Sequence, residues 1–353
     1  MSVMQVRGLD RAPERVLIIK PSALGDVVTA LPVLRGLKRS FPAAHVSWLV
    51  NTECSALLAG DADLDEIVPF ERRRLGRAWR SPGAAAALAG LVKRLRRARY
   101  DWVIDLQGLF RSGFFARASA APVRAGFANA REGAWMFYTH KLTPAAEHTV
   151  DRNIELAAML GLDCRRADMT LAVSPEGKAF ADAFRARPEV AGRPLVAMVP
   201  PTRWTTKLYP RRHWRALAGL LSGRAALAVV GTGADAELCA AVAEAGGPAA
   251  VSLAGQTNIP QMAGLLAAAD CVVCCDSAAM HIAQAVGTDV VALIGPTRPE
   301  RTGPVLGGRC IEAAVPCRGC LRRRCRHITC MQQIDPARVA GAVQESLGHR
   351  RPA

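Results

Sequence analysis

Residues Arg15-Val16-Leu17-Ile18-Ile19-Lys20 run directly into Pro21-Ser22-Ala23-Leu24-Gly25-Asp26, and an apolar helical pattern follows. The apolar run reads as a buried strand, and the helix begins just beyond Gly25. A loop at the carboxyl end of a first parallel strand lies where open α/β sheets bind ligands. This loop is too poor in glycine for a dinucleotide fingerprint; it is built to aim one acid, Asp26. On position alone Asp26 reads equally as a helix cap accepting from backbone N–H groups and as a catalytic base. Pro32, in the second turn of the helix, predicts a kink.

Outward from this stretch, strand and helix patterns alternate. Apolar runs at 16–19, 46–50, 67–70 and 102–106 are separated by helical patterns, the signature of βαβ units and a parallel sheet. Between about residues 118 and 149 the pattern weakens under scattered Gly and Pro, and a helix is expected at 151–160. A second series follows Arg187-Pro188 and Arg193-Pro194, with strands at 195–199, 227–230, 251–254, 271–275 and 290–294. Its helices are expected at 212–221, 236–245, 259–268 and 277–286, with a last one at 336–347. The chain therefore reads as α/β with two domains, 1–180 and 181–335, plus a terminal helical segment, 336–353. Neither half contains G-x-G-x-x-G or G-x-x-x-x-G-K-[ST], which disfavours hydride transfer on NAD and P-loop chemistry.

The 353 residues carry a formal charge of +16, which favours anionic partners; an arginine preference on an ordinary surface explains it equally well. Part of the charge is concentrated. Arg72, Arg73, Arg74, Arg77 and Arg80 precede an Ala-rich segment that Lys93, Arg94, Arg96, Arg97 and Arg99 close. Such a helix suits an anionic membrane face, or is a solvated helix whose late cations complement its dipole. No apolar run reaches the length of a membrane span, and Asp10 and Glu14 do not fit a secretory signal. A cytoplasmic location is expected.

Several loops carry polar residues suited to chemistry. Pro200-Pro201-Thr202-Arg203-Trp204-Thr205-Thr206-Lys207 follows a strand, and its hydroxyls and one lysine suit a phosphate; an ordinary polar loop is the alternative. Cys275-Asp276-Ser277-Ala278-Ala279-Met280-His281 ends a strand and opens a helix with small residues. The free N–H groups of Ser277 to Met280 then form an anion site to which a diphosphate can approach closely. His281 also reads as a core histidine, and Asp276 as a cap. Asp235, after Gly231-Thr232-Gly233, is placed to hold ribose hydroxyls or to cap a turn. Asp61-Ala62-Asp63 is formally D-x-D but precedes its strand, so it reads as a turn.

Of 11 cysteines, Cys54, Cys164, Cys239, Cys271, Cys274 and Cys275 read as small core residues. The other five, Cys310, Cys317, Cys320, Cys325 and Cys330, cluster near the carboxyl end, and the last four read C-x2-C-x4-C-x4-C, compact enough for zinc or an iron–sulfur cluster or for a metal-free thiol cluster. Arg318, Arg322, Arg323, Arg324 and Arg326 surround them.

Taken together and in order, KPSALGDVVTALPVL (20–34), DLQGLFRSG (105–113), TTKLYP (205–210), CDSAAMHIAQAVG (275–287) and GPTRPERTGP (295–304) resemble glycosyltransferase family 9, the heptosyltransferases of lipopolysaccharide core assembly. The resemblance runs from about Val16 to Val339. It implies a GT-B fold, two Rossmann-like domains with their parallel sheets facing a cleft and a last helix that turns back to the first domain. It implies inverting transfer without metal or cofactor, from ADP-heptose, with Asp26 as general base. Lys207 and Thr202 then contact donor phosphate, Asp276 the sugar hydroxyls, residues 277–281 the diphosphate and, more loosely, Asp235 the ribose. Ser22 and Gly25 belong to the same substrate-binding loop as Asp26. DLQGLFRSG with Arg131-Glu132 and Phe137-Tyr138 resembles the first-acting branch, whose acceptor is Kdo on lipid A. Arg111, Arg131, Lys141 and Arg152 are then expected to meet acidic groups at the cytoplasmic face of an inner membrane. The cysteine cluster departs from that branch and leaves the acceptor open among heptosyltransferases. No nucleic-acid partner is expected.

Overall fold

The computed structural model describes residues 11–348. The chain divides into two compact units that meet in sequence at Met169 and Thr170.

The first unit holds a six-stranded sheet: β1 (Arg15–Ile19), β2 (His45–Asn51), β3 (Glu66–Phe70), β4 (Trp102–Asp105), β5 (Val123–Phe127) and β6 (His140–Leu142). All strands are parallel, in the order β3-β2-β1-β4-β5-β6. This is the doubly wound order, which reverses between β1 and β4 and so opens a crevice beyond their carboxyl ends. The apolar residues of β1 are wholly buried, as a strand covered on both faces requires. The predicted kink at Pro32 is a full break: helices Leu24–Val28 and Leu31–Ser40 are separate, and Pro32 sits in the first turn of the second, where its missing N–H is not needed.

The second unit repeats the plan with β7 (Leu195–Val199), β8 (Ala226–Val229), β9 (Ala250–Ser252), β10 (Cys271–Cys275), β11 (Val290–Leu293) and β12 (Arg309–Ile311). The parallel order β12-β11-β10-β7-β8-β9 puts its reversal between β7 and β10. Helix Pro175–Arg185 packs on helix Ile259–Ala268 at glycines: a Cβ on Gly264 would stand 2.0 Å from the carbonyl oxygen of Gly177. The last helix, Pro336–Gly348, packs its Val339, Ala340 and Val343 into the second unit's core, with Trp214 and Leu217.

Three strands escaped the sequence reading: β5, β6 and β12. They lie at or next to sheet edges, two have only three residues, and β5 reads Val-Arg-Ala-Gly-Phe. Gly126 looked like a breaker but is a packing requirement, because a Cβ there would come within 2.3 Å of the Tyr138 ring.

Candidate functional site

In the second unit the reversal between β7 and β10 brings together segments far apart in sequence. The loop after β7 carries Thr202 and, in a single 3-10 turn Thr205–Lys207, the lysine. The loop after β10 begins with Asp276. Lys207 Nζ donates to Asp276 Oδ2 at 2.9 Å, both groups largely buried, and reaches its main-chain oxygen at 3.4 Å. The Thr302 hydroxyl donates to Asp276 Oδ2 at 3.1 Å, and the Thr202 hydroxyl reaches the Asp276 carbonyl at 3.5 Å. Burial works to raise the pKa of Asp276, but Lys207, the Thr297 hydroxyl and His281 outweigh it and hold the carboxyl below its usual range. Asp276 is thus a buried, ionised carboxylate.

Ser277 caps helix Ala278–Ala285 in extended conformation, but its hydroxyl makes no cap bond and is buried without a partner. The first N–H groups of the helix are therefore not taken up by that hydroxyl, which leaves donors for an anion. Ala278, Ala279 and Met280 form the first turn, and His281 is buried one residue further on. The structure thus gathers Thr202, Lys207, Asp276 and residues 277–281 in one place. Asp235 is different: its carboxylate turns back onto its own loop and accepts from the N–H of Thr232 at 2.9 Å and its hydroxyl at 2.6 Å.

Sequence reading missed two groups here. Thr302 lies 26 residues from Asp276, inside the GPTRPERTGP motif, where no role was assigned to it. Trp204 has Lys207 Nζ 4.5 Å from its ring centroid and the Arg323 guanidinium carbon at 4.6 Å. An aromatic in a basic loop is the signal, since cations collect on indole rings.

In the first unit, Asp26 occupies the third position of helix Leu24–Val28. Its Oδ2 accepts from the N–H of Ala23, the N-cap residue, at 2.9 Å, so it braces the helix start from inside the first turn and is not itself the cap. The carboxylate is half-exposed, and its other oxygen has no hydrogen bond among the described residues. Ser22 and Ala23 are likewise half-exposed, and Gly25 is buried beneath them. Lys20, buried at the end of β1, donates to the Leu106 carbonyl at 2.7 Å.

Across the reversal, Asp105 ends β4. It accepts from the Tyr138 hydroxyl at 2.6 Å and from the N–H groups of Gln107 and Gly108 at 2.9 and 3.2 Å. Complete burial raises its pKa despite these bonds. The turn it braces meets Arg131, whose N–H donates to the Gly108 carbonyl at 3.0 Å, and Glu132, whose carboxylate accepts from the Phe110 N–H at 3.2 Å. Arg111 and Arg131 are both exposed. Phe110, Trp135 and Met136 are exposed as well, with Lys141 Nζ 5.3 Å from the Trp135 ring. Arg152 stacks on Phe127 and donates to Asn129 at 3.3 Å.

The remaining motifs are structural. Arg35 binds both carboxylate oxygens of Asp61 at 2.6 Å and reaches Asp63 at 2.8 Å, so the D-x-D acids are held in an ion-paired turn. The six scattered cysteines are buried, and burial pushes the thiols of Cys271 and Cys275 up to about 12. No helix among the described residues is long and apolar enough to cross a membrane.

Two parallel sheets of doubly wound order, the second with a cation–carboxylate pair and a helix amino terminus at its reversal, fit the architecture of GT-B glycosyltransferases. The model of glycosyltransferase family 9 (heptosyltransferase) matches residues 88–329. Lipopolysaccharide heptosyltransferase 1 of Pseudomonas aeruginosa is 28% identical over 360 residues, covering 94% of this chain and 98% of the relative. The enzyme of the same name from Escherichia coli K12 is 31% identical over 294 residues, 82% and 90% of the two chains. Among solved structures, E. coli heptosyltransferase WaaC with ADP-2-deoxy-2-fluoro heptose superposes with a TM-score of 0.74 at 26% identity, covering 94% and 99% of the chains. E. coli ADP-heptose heptosyltransferase II gives 0.75 at 25%, covering 94% and 98%. The chain belongs to glycosyltransferase family 9, the heptosyltransferases.

Proposed function

We propose that this enzyme transfers heptose from ADP-heptose, with inversion, to a Kdo-bearing lipid A acceptor at the cytoplasmic face of an inner membrane. The observation that carries the donor half is the ionised Asp276 held by Lys207 beside the uncapped helix Ala278–Ala285. A diphosphate arriving at the helix amino terminus competes with Asp276 for Lys207. The carboxylate is then free to accept from sugar hydroxyls, and the ammonium faces the charge that grows on the leaving ADP. Preorganised donors of this kind act where charge develops and need no metal at the reacting centre.

The first unit serves the acceptor. Asp26, held through one oxygen by Ala23, has the other for the acceptor hydroxyl and takes its proton as the glycosidic bond forms. Ser22 and Gly25 shape that loop, and exposed Arg111 and Arg131 suit the carboxylate and phosphates of an acidic acceptor. Exposed Phe110, Trp135 and Met136 beside these cations suit a lipid-linked one, as does Trp79 stacked under Arg80 in the basic segment. The similarity to heptosyltransferase 1 enzymes supports Kdo as the acceptor sugar.

The test is an assay with ADP-heptose and Kdo-lipid A acceptors of graded truncation, with products read by mass. One heptose added to the Kdo region is the expected result; transfer only to an acceptor already carrying heptose overturns the assignment. Asp26→Asn should keep the fold and lose roughly 10²–10⁴-fold in kcat, the usual contribution of a general base. Near-normal transfer by that variant removes Asp26 from the role.

A further inference from the structure

The carboxyl-terminal cysteines have no part in the transfer chemistry, yet the fold gathers them. Cys317, Cys320, Cys325 and Cys330 line one cavity of about 150 Å³ within the second unit, together with Thr206, Pro296, Arg322, His327 and Ile328. Two tight turns bring them there. Gly319 and Leu321 have φ of +66° and +58° around the first pair, and Ile328 has φ of +37° between Cys325 and Cys330. A β-branched residue in the left-handed region is disfavoured unless its surroundings impose it.

We propose that Cys317, Cys320, Cys325 and Cys330 bind one zinc- or iron-class divalent ion through four thiolates, as a structural centre bracing the loop that carries Lys207. Four soft sulfur donors in tetrahedral array select these metals. Four thiolates around a divalent ion leave two negative charges, and Arg318, Arg322, Arg323, Arg324 and Arg326 supply the compensating field. Among the described residues no three Cys, His, Asp or Glu donors already converge on one point. Metal therefore has to draw the sulfurs inward, releasing the thiol protons to solvent.

The bracing runs through named contacts. The Thr206 hydroxyl donates to the Arg322 carbonyl at 3.0 Å, Arg323 stacks on Trp204 beside Lys207, and Leu321 N–H donates to the Pro296 carbonyl at 2.7 Å. The segment between the cysteines thus holds both the lysine loop and the loop after β11. This second part of the proposal rests on the donor-site reading of Lys207; the metal itself does not.

The full chain, prepared anaerobically without a metal-affinity tag, should carry one zinc or iron per chain by elemental analysis. Zinc leaves the protein colourless, and iron gives visible thiolate-to-metal absorption. After chelation, Co²⁺ added to the unsubstituted chain should give tetrahedral tetrathiolate bands. Cys317→Ser and Cys325→Ser should lose stoichiometric metal, and Cys239→Ser should keep it. Absence of the Co²⁺ bands, or an intact mass showing a disulfide within the cluster and no metal, overturns the site; so does full metal retention by both cluster variants. The Co²⁺ spectrum is read on the unsubstituted chain, so a variant that misfolds does not decide the outcome. Chelation should also weaken ADP binding measured by calorimetry. Unchanged ADP affinity with metal removed overturns the bracing alone and leaves the metal site standing.

Discussion

Asp105 and Asp276 stand at matching places in two sheets of the same topology: each comes at the carboxyl end of the fourth strand of its sheet, beside the reversal of strand order. Both are buried. They titrate in opposite directions. Asp105 is held by a tyrosine hydroxyl and two backbone N–H groups, and burial lifts its pKa. Asp276 has Lys207 at 2.9 Å, and its pKa falls in spite of burial. Neutral donors soften the desolvation of a carboxylate; a cation in contact overcomes it. One unit therefore uses its buried acid to hold a turn, and the other keeps a charge ready for a ligand.

The largest effect should come from erasing the cation. Lys207→Ala leaves Asp276 buried and unpaired, and removal of one partner of a buried pair destabilises by roughly 3–5 kcal/mol. The pKa of Asp276 should then rise as that of Asp105 does, and kcat with ADP-heptose should fall about 10²–10³-fold, the scale of losing one preorganised donor. Denaturant melts and steady-state kinetics check the two parts separately; wild-type kinetics in a folded variant would dissolve the contrast between the acids. A smaller effect is expected at the other acid. Tyr138→Phe removes one donor from Asp105 and should lower stability by about 1–3 kcal/mol. Donor affinity should be unchanged, because the contacts of Tyr138 lie in the first unit; a large change in ADP binding would count against the division of labour.

The smallest effect is one of pH. The folded pKa of Asp276 lies below that of an unfolded aspartate, about 3.9. Its pair with Lys207 therefore adds stability that is complete above that value and is lost as pH falls through the lower folded one. Asp105, raised in the fold, has the opposite sign: its contribution is complete below the unfolded value and declines as pH rises through the folded one. Acid melts of Asp276→Asn against the unsubstituted chain should differ by a constant amount above the ordinary aspartate pKa and converge only as pH falls through the lower folded value. Parallel curves throughout the acid range would contradict the assigned shift.

The strands that bear the site were legible because they are buried on both faces and read as unbroken apolar runs: β1, β7 and β10 were found at or within a residue of their bounds. Edge strands β6 and β12 carry little of that signal, since three residues with a lysine or arginine among them bury too little to impose a pattern. Asp26, Lys207, Asp276 and the small residues after it stand out as candidates because a polar residue at the end of such a strand has few structural uses. Thr302 and Trp204 do not, because each depends on a partner brought in from another loop.

The sequence by itself determined the alternation of buried strands and amphipathic helices, the positions of the acids and the lysine at strand ends, and the close spacing of four cysteines, since all of these are local in the chain. Only the tertiary structure decided that Lys207 and Asp276, 69 residues apart, form a buried ion pair, that the Asp235 carboxylate faces its own loop, and that the four thiols share one cavity. Charge state and partnership depend on burial and on distance through space, and strand order sets both without leaving a periodicity to be read along the chain.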